Sequence, residues 1–219
     1  MAIKLVISDF DRTFTDESLS VAPELKEAIG LIGAKGIRFS IVSGRNYGFL
    51  LEFCRELDGL LDSFVAENGC IGHFKGKKCV LGDSARRGEL LGRLKQLGVP
   101  YGQGEVIVAV EARYQPQLCK ALSGLDGAFH VIRNVDSLMI LPAGISKSSG
   151  AAWLARMYGV QLSETAAIGD AQNDVAFRDS CVLLGAVSNA IPEMKATADY
   201  VCRQSYGKGL QEFIEYIGR

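Results

Sequence analysis

The run Ile3-Lys4-Leu5-Val6-Ile7-Ser8 restricts what this chain can fold into more than any other stretch. It is apolar almost throughout, so it reads as a strand buried on both faces, the kind found in parallel sheets. Residues 22–34 then show amphipathic helical spacing, and Gly36-Ile37-Arg38-Phe39-Ser40-Ile41-Val42 reads as a second strand, so the chain opens on a βαβ unit. Pro23 suits a first helical turn, and the stretch from Gly33 to Gly36 suits a helix exit. A second helix over 46–57 leads to a short strand at 63–66. The triplet Glu67-Asn68-Gly69 marks a tight turn, and strands at 71–74 and 78–81 form a hairpin across Gly76.

From about residue 82 the rhythm changes. Helical spacing over 85–97, strands at 106–110, 128–132 and 137–141, a short helix at 116–122 and a turn at 134–136 read as a small mixed sheet with two helices. The βα alternation resumes at 147–158, 165–168, 173–177, 181–184, 192–196 and 200–202, before an amphipathic helix ending near Ile217. The expected fold is α/β: a doubly wound parallel-sheet core from residues 1–79 and 144–219, interrupted by a small inserted α+β domain over 80–143.

Composition narrows the partners. At 219 residues, 48% hydrophobic and 22% charged, the chain can bury a proper core, and a formal net charge of −1 supplies no field for nucleic acid or an anionic membrane. Cys54, Cys70, Cys79, Cys119, Cys181 and Cys202 form no Cys-x-x-Cys pair and have no neighbouring His. They are expected to be reduced core residues, neither a zinc site nor a disulfide frame. No apolar run is long enough to span a bilayer and no cleavage signal precedes the first strand, so a cytoplasmic location is expected.

The first strand runs into Asp9-Phe10-Asp11-Arg12-Thr13. Side chains two apart in an extended segment point the same way, which places Asp9 and Asp11 at one mouth and turns Phe10 inward. Two carboxylates so close need a cation between them or a proton on one of them. Ligands of open parallel sheets bind beyond the carboxyl ends of the strands. There the sequence also places Ser43-Gly44-Arg45, then Gly169-Asp170-Ala171-Gln172-Asn173-Asp174, with Lys147 opening the helix after the insert. Any one Asp or Ser could be only a helix cap, but a lysine in a first helical turn opposes the macrodipole and needs another reason to be there. Four acids, a hydroxyl and a lysine reaching one sheet edge are more than independent caps.

Hard carboxylate oxygens without His or Cys favour Mg²⁺, with Asp9, Asp170 and Asp174 as the ligand set and Asp11 lending a backbone carbonyl. A metal there would let Asp9 approach an anionic phosphoryl group as a nucleophile. Asp11 could protonate the leaving oxygen and then take a proton from water, while Ser43, the Gly44 N–H and Lys147 could hold the equatorial oxygens.

These motifs resemble those of phosphatases in the haloacid dehalogenase superfamily. The resemblance covers Asp-x-Asp-x-Thr at residues 9–13, a Ser after the second strand at Ser43, Lys147, and Gly-Asp-x-x-Asn-Asp at residues 169–174, all in the family's order. It implies a Mg²⁺-dependent phosphomonoester hydrolase working through an aspartyl-phosphate on a small phosphorylated metabolite. Asp9 would be the nucleophile, Asp11 the acid/base, Ser43 and Lys147 phosphate ligands, and Asp9, Asp11, Asp170 and Asp174 metal ligands. Asn173 would support that metal site or bind on the phosphate side.

The insert's position resembles the C2 type of cap in Cof-like sugar phosphatases and archaeal phosphoglycolate phosphatases. Its short length and the ending Ser205-Tyr206-Gly207 lean toward the latter. A small carboxylated ester would suit a basic cap, for which Arg113, His130 and Arg133 are candidate contacts, although each also reads as an ordinary solvated or satisfied side chain. Other readings of the same motifs are a Cof-type sugar phosphatase, a phosphomutase, and a phospho-accepting signalling domain. Arg12 departs from the pattern, standing where the family most often has Gly. It is either strained at φ > 0 or a guanidinium available to an anionic substrate.

Overall fold

The computed structural model describes residues 2–57, 59–134 and 136–218. Strand β1 (Leu5–Ser8), fully buried, lies between β2 (Arg38–Val42) and β10 (Thr165–Gly169), and both pair with it in parallel. β3 (Ser63–Ala66) extends the sheet in parallel beyond β2, as β11 (Leu183–Ala186) and β12 (Tyr200–Val201) do beyond β10. The antiparallel strands β4 (Ile71–Phe74) and β5 (Lys77–Val80) complete an eight-stranded order of β12-β11-β10-β1-β2-β3-β4-β5. Successive strands leave the centre in opposite directions, so the gap between β1 and β10 is the topological switch point. The crossover helices include α1 (Pro23–Ala34), α2 (Tyr47–Glu56), α5 (Lys147–Tyr158) and α6 (Pro192–Thr197), and α7 (Tyr206–Ile217) follows the last strand.

The inserted stretch contains α3 (Arg87–Gln96), β6 (Gly102–Gln103), β7 (Val108–Glu111), α4 (Gln115–Leu122), β8 (Phe129–Asn134) and β9 (Ser137–Pro142). Its sheet has the order β6-β7-β9-β8. Alternation gives this sheet two apolar faces. Val108, Val110, Leu138 and Ile140 join Leu90, Leu94 and Leu118 of the two helices in a core of their own, while Ile132, Met139 and Leu141 pack toward the main core.

Three expectations need correction. The inserted sheet is not mixed, because every neighbouring pair in it is antiparallel. β7 and β8, joined through α4, do run parallel, but β9 inserts between them. The helix expected over 173–177 is present, but as a 3-10 helix over Gln172–Ser180 and not an α-helix, with the Asp174 carboxylate accepting the Asp170 and Ala171 N–H groups at its start. All six cysteines are free as expected, yet Cys79 and Cys119 are exposed and not core residues. The turn expected at 134–136 centres on Val135, outside the described residues.

The turn after β3 ties the two sheets together. Glu67 and Asn68 both adopt left-handed backbone, with φ 53° and 55°. The fully buried Glu67 carboxylate accepts the backbone N–H groups of Glu105, Val106 and Ile107 at 2.8, 2.9 and 3.0 Å. Gly104 lets the chain pass this close, since a Cβ there would fall 2.3 Å from Glu67 Oε1. Glu67→Gln turns one acceptor into an NH₂ facing backbone donors, and is expected to cost about 2 kcal/mol, or roughly 4–8 °C in Tm. Thermal unfolding and amide exchange at residues 105–107 check this; unchanged protection there would mean that the clamp is not formed in solution.

Candidate active site

Asp9 follows β1 directly, and its N–H donates to the Ile168 carbonyl at 2.9 Å, so the residue stays aligned with β10. The turn beyond it is anchored from inside. Phe10 is fully buried, with ring centroids 4.7 Å from Phe53, 5.7 Å from Phe49 and 6.2 Å from Phe14, a burial worth roughly 2–3 kcal/mol. With Phe10 held inward, Asp9 and Asp11 both border one cavity of about 490 Å³. The turn itself is not extended, for Arg12 lies at φ 60°, ψ 10°, a left-handed conformation that costs a side chain-bearing residue about 1 kcal/mol or more.

Asp170 and Asp174 come from the end of β10. Asp174 Oδ2 accepts the N–H groups of Asp170 at 3.1 Å and Ala171 at 2.9 Å, and Thr13 Oγ1 donates to Asp170 Oδ1 at 3.3 Å. A Cβ on Gly169 would lie 2.4 Å from Asp174 Cβ, so only glycine lets the carboxylate fold back over the strand end. Lys147 opens α5 behind a reciprocal cap in which Ser149 N–H donates to Ser146 Oγ and Ser146 N–H donates to Ser149 Oγ. Its buried ammonium donates to Asp9 Oδ1 at 2.6 Å and Asp174 Oδ1 at 2.5 Å. This explains a cation at the wrong end of a helix: its partners are at the sheet edge, not in the helix.

Carboxylate oxygens of Asp9, Asp170 and Asp174 lie within 4.8 Å of one another. One ammonium therefore faces three buried carboxylates. Burial, followed by the charges of Asp174 and Asp170, holds the Asp9 pKa well above the usual carboxylate range against the pull of Lys147. Burial and Asp174 push Asp170 up to about 6. Burial works against the Lys147 ammonium too, but Asp174 and Asp9 outweigh it and leave its pKa above the ordinary lysine value. Clustered oxygen donors with a shortage of positive charge fit a hard divalent cation.

The other expected site residues are also near. Gly44 and Asn173 line the cavity, whereas Ser43 is fully buried, its Oγ accepting the Arg45 N–H at 3.1 Å. The Asp11 carboxylate stands outside the three-acid group and is gripped by Arg45, with Nε at 3.0 Å from both oxygens and Nη2 at 2.6 Å from Oδ1. Asn173 Nδ2 donates to Asn68 Oδ1 at 3.0 Å.

Arg113, His130 and Arg133 are not brought to the cavity. Arg113 pairs with Glu111 at 2.9 Å, His130 Nδ1 meets the Pro142 carbonyl at 3.1 Å, and Arg133 is in register with Leu138 of the insert's own core. The walls instead include Arg12, Arg45, Met139, Asn189 and Ile191. Of these, Arg45 had a signal in its place directly after Ser43-Gly44. Met139 had none, because its role depends on which face of the inserted sheet turns toward the core.

A doubly wound core that gathers carboxylates and a buried lysine at its switch point, beside an inserted antiparallel sheet, is the build of a hydrolase of phosphate esters. Residues 6–91 and 105–214 match the sequence family described as haloacid dehalogenase-like hydrolase, and the chain belongs to that family. It is 31% identical to a phosphoglycolate phosphatase of Sulfurisphaera tokodaii over 97% of this chain and 93% of that one. Phosphoglycolate phosphatase 1 of Saccharolobus solfataricus is also 31% identical, with 98% and 96% covered. Among solved structures, a Thermoplasma acidophilum protein superposes with a TM-score of 0.83 at 20% identity, covering 100% and 99% of the two chains. A sugar phosphatase of subclass IIB superposes with a TM-score of 0.79 at 17% identity, covering 98% and 99%. Among the described residues no helix is long and apolar enough to cross a membrane.

Proposed function

We propose that this chain is a cytoplasmic, Mg²⁺-dependent phosphatase of small phosphate monoesters, with a phosphoglycolate-type ester as its substrate. The observation that carries this reading is the convergence of Asp9, Asp170, Asp174 and Lys147 at the switch point of the sheet. The 31% identity to two phosphoglycolate phosphatases along nearly the whole chain supports the substrate class. Residues 80–143 act as the cap that covers the leaving group.

Asp9, Asp170 and Asp174 would hold the metal, which when bound neutralises the cluster and polarises the phosphoryl group. Asp9 Oδ attacks phosphorus, the ester P–O bond breaks, and Asp11 gives its proton to the leaving oxygen. Asp11 then takes a proton from a water whose oxygen attacks the aspartyl-phosphate, releasing phosphate and restoring Asp9. For this Asp11 must carry a proton, and so must loosen from the Arg45 guanidinium that now holds both its oxygens. Lys147, the Gly44 N–H and Asn173 face the phosphoryl oxygens, with Ser43 holding the Gly44 turn in shape.

Phosphate release from a panel of small esters tests the reading. Phosphoglycolate is expected to exceed hexose phosphates in kcat/KM by at least ~10-fold. Preference for a hexose phosphate would favour the sugar-phosphatase reading, an isomerised product the mutase, and a stable phosphoprotein without turnover the signalling domain.

A further inference from the structure

The cavity is bordered by three cations, Lys147, Arg45 and Arg12, and two of them are closely engaged. Lys147 binds Asp9 and Asp174, and Arg45 forks onto Asp11. Among the described residues Arg12 has only long ion contacts, from Nε to Asp170 Oδ2 at 3.5 Å and from Nη1 to Glu17 Oε1 at 3.9 Å, and its side chain is 51% exposed. Yet this is the residue held in left-handed backbone, a conformation that disfavours every side chain relative to glycine. Strain of this kind persists where the surrounding structure over-determines it, and it clusters at active sites and ligand clamps.

The Arg12 loop is also fastened in place. Asn189 Nδ2 donates to the Arg12 carbonyl at 2.9 Å, while Asn189 Oδ1 accepts the Tyr206 N–H at 2.8 Å, tying the turn to the start of α7. Elsewhere the cavity wall combines the apolar side chains of Met139 from the inserted sheet and Ile191 from the core with the amides of Asn173 and Asn189. A leaving group lodged here meets hydrocarbon and amides on those sides and a guanidinium beside the acid pair.

We infer that Arg12 is a specificity-determining residue that binds a second anionic group, a carboxylate, on the leaving-group side of the substrate. The inference rests on the phosphatase reading of the site and names the substrate class: small carboxylated phosphate monoesters, selected from the core loop and not from the cap. A guanidinium matches a carboxylate with two parallel N–H donors, which lysine does not reproduce.

The test compares phosphoglycolate with ethyl phosphate, which has nearly the same size but lacks the carboxylate. The readout is the ratio of their kcat/KM values in the wild type and in Arg12→Ala, Arg12→Gly and Arg12→Lys. The ratio is expected to fall roughly 10–100-fold in the Ala and Gly variants and to recover in part with Lys. Arg12→Gly frees the backbone, so a fall there cannot be blamed on a strained turn. A ratio within about threefold of wild type in both variants overturns the inference, as does a wild type that prefers ethyl phosphate. A wild type that hydrolyses no phosphate ester overturns the phosphatase reading and this inference with it.

Discussion

Asp9→Asn is expected to lower kcat for phosphate release by at least ~10⁴-fold, because the carboxamide is no nucleophile. The loss should come without collapse of the fold. Asp9 is buried beside Asp174 and Asp170, which repel its charge, and the Asn oxygen can still accept the Lys147 hydrogen bond that now reaches Asp9 Oδ1. Removing one negative charge from a cluster short of positive charge offsets the weaker pairing. Steady-state kinetics and thermal unfolding on the same sample decide the matter. Activity within tenfold of wild type would sink the nucleophile assignment, and a collapsed Tm would show that the carboxylate is structural.

Stripping divalent metal with a chelator is expected to abolish turnover, and restoring Mg²⁺ to recover it. At about 100 times its dissociation constant the ion should also stabilise the fold by ~2.7 kcal/mol, or roughly 5–10 °C in Tm. The gain depends on pH in a direction that the site dictates. Asp170 has a folded value of about 6 against an ordinary 3.8. Between those values the folded chain holds more protons than the unfolded chain, so the metal-free protein loses stability as pH rises through that window. Asp9, also raised, acts with the same sign. Lys147, raised above its ordinary value, stays charged across the window and adds no slope.

The ion must displace those protons to bind. Its effect on Tm should therefore be small near about pH 5 and large above about pH 7. Thermal unfolding with and without Mg²⁺ at the two pH values checks this, and an equal gain at both would place the ion elsewhere.

Local pattern made most of the core legible. The buried run at β1, the helix that follows and the strand after it are each set by residues adjacent in the chain, and they occur close to where periodicity places them. The carboxylates were legible for a related reason: the end of a parallel strand is a defined place, and Asp9 and Asp170 each follow one directly. The inserted sheet was less so. Its strands were recognisable, but their pairing depends on β9 entering between β7 and β8, a choice made by packing and not by any strand's own residues. Segment 172–180 is helical as expected but wound as a 3-10 helix, a tightening that periodicity over so short a stretch does not signal.

The chain of residues alone determined the α/β class and the acids and lysine that reach the switch-point edge, since strand burial, helix spacing and strand-end position are local properties. Only the tertiary structure decided which charges meet. Lys147 lies 138 positions from Asp9 and Arg45 lies 34 from Asp11, while Glu67 clamps amides 38 to 40 positions away. A charge finds its partner through how whole elements pack, and the energy that joins them exists only once water has been excluded from between them. For the same reason Arg12, conspicuous in the motif as a departure from glycine, acquired its meaning only from its left-handed backbone and its place on the cavity wall.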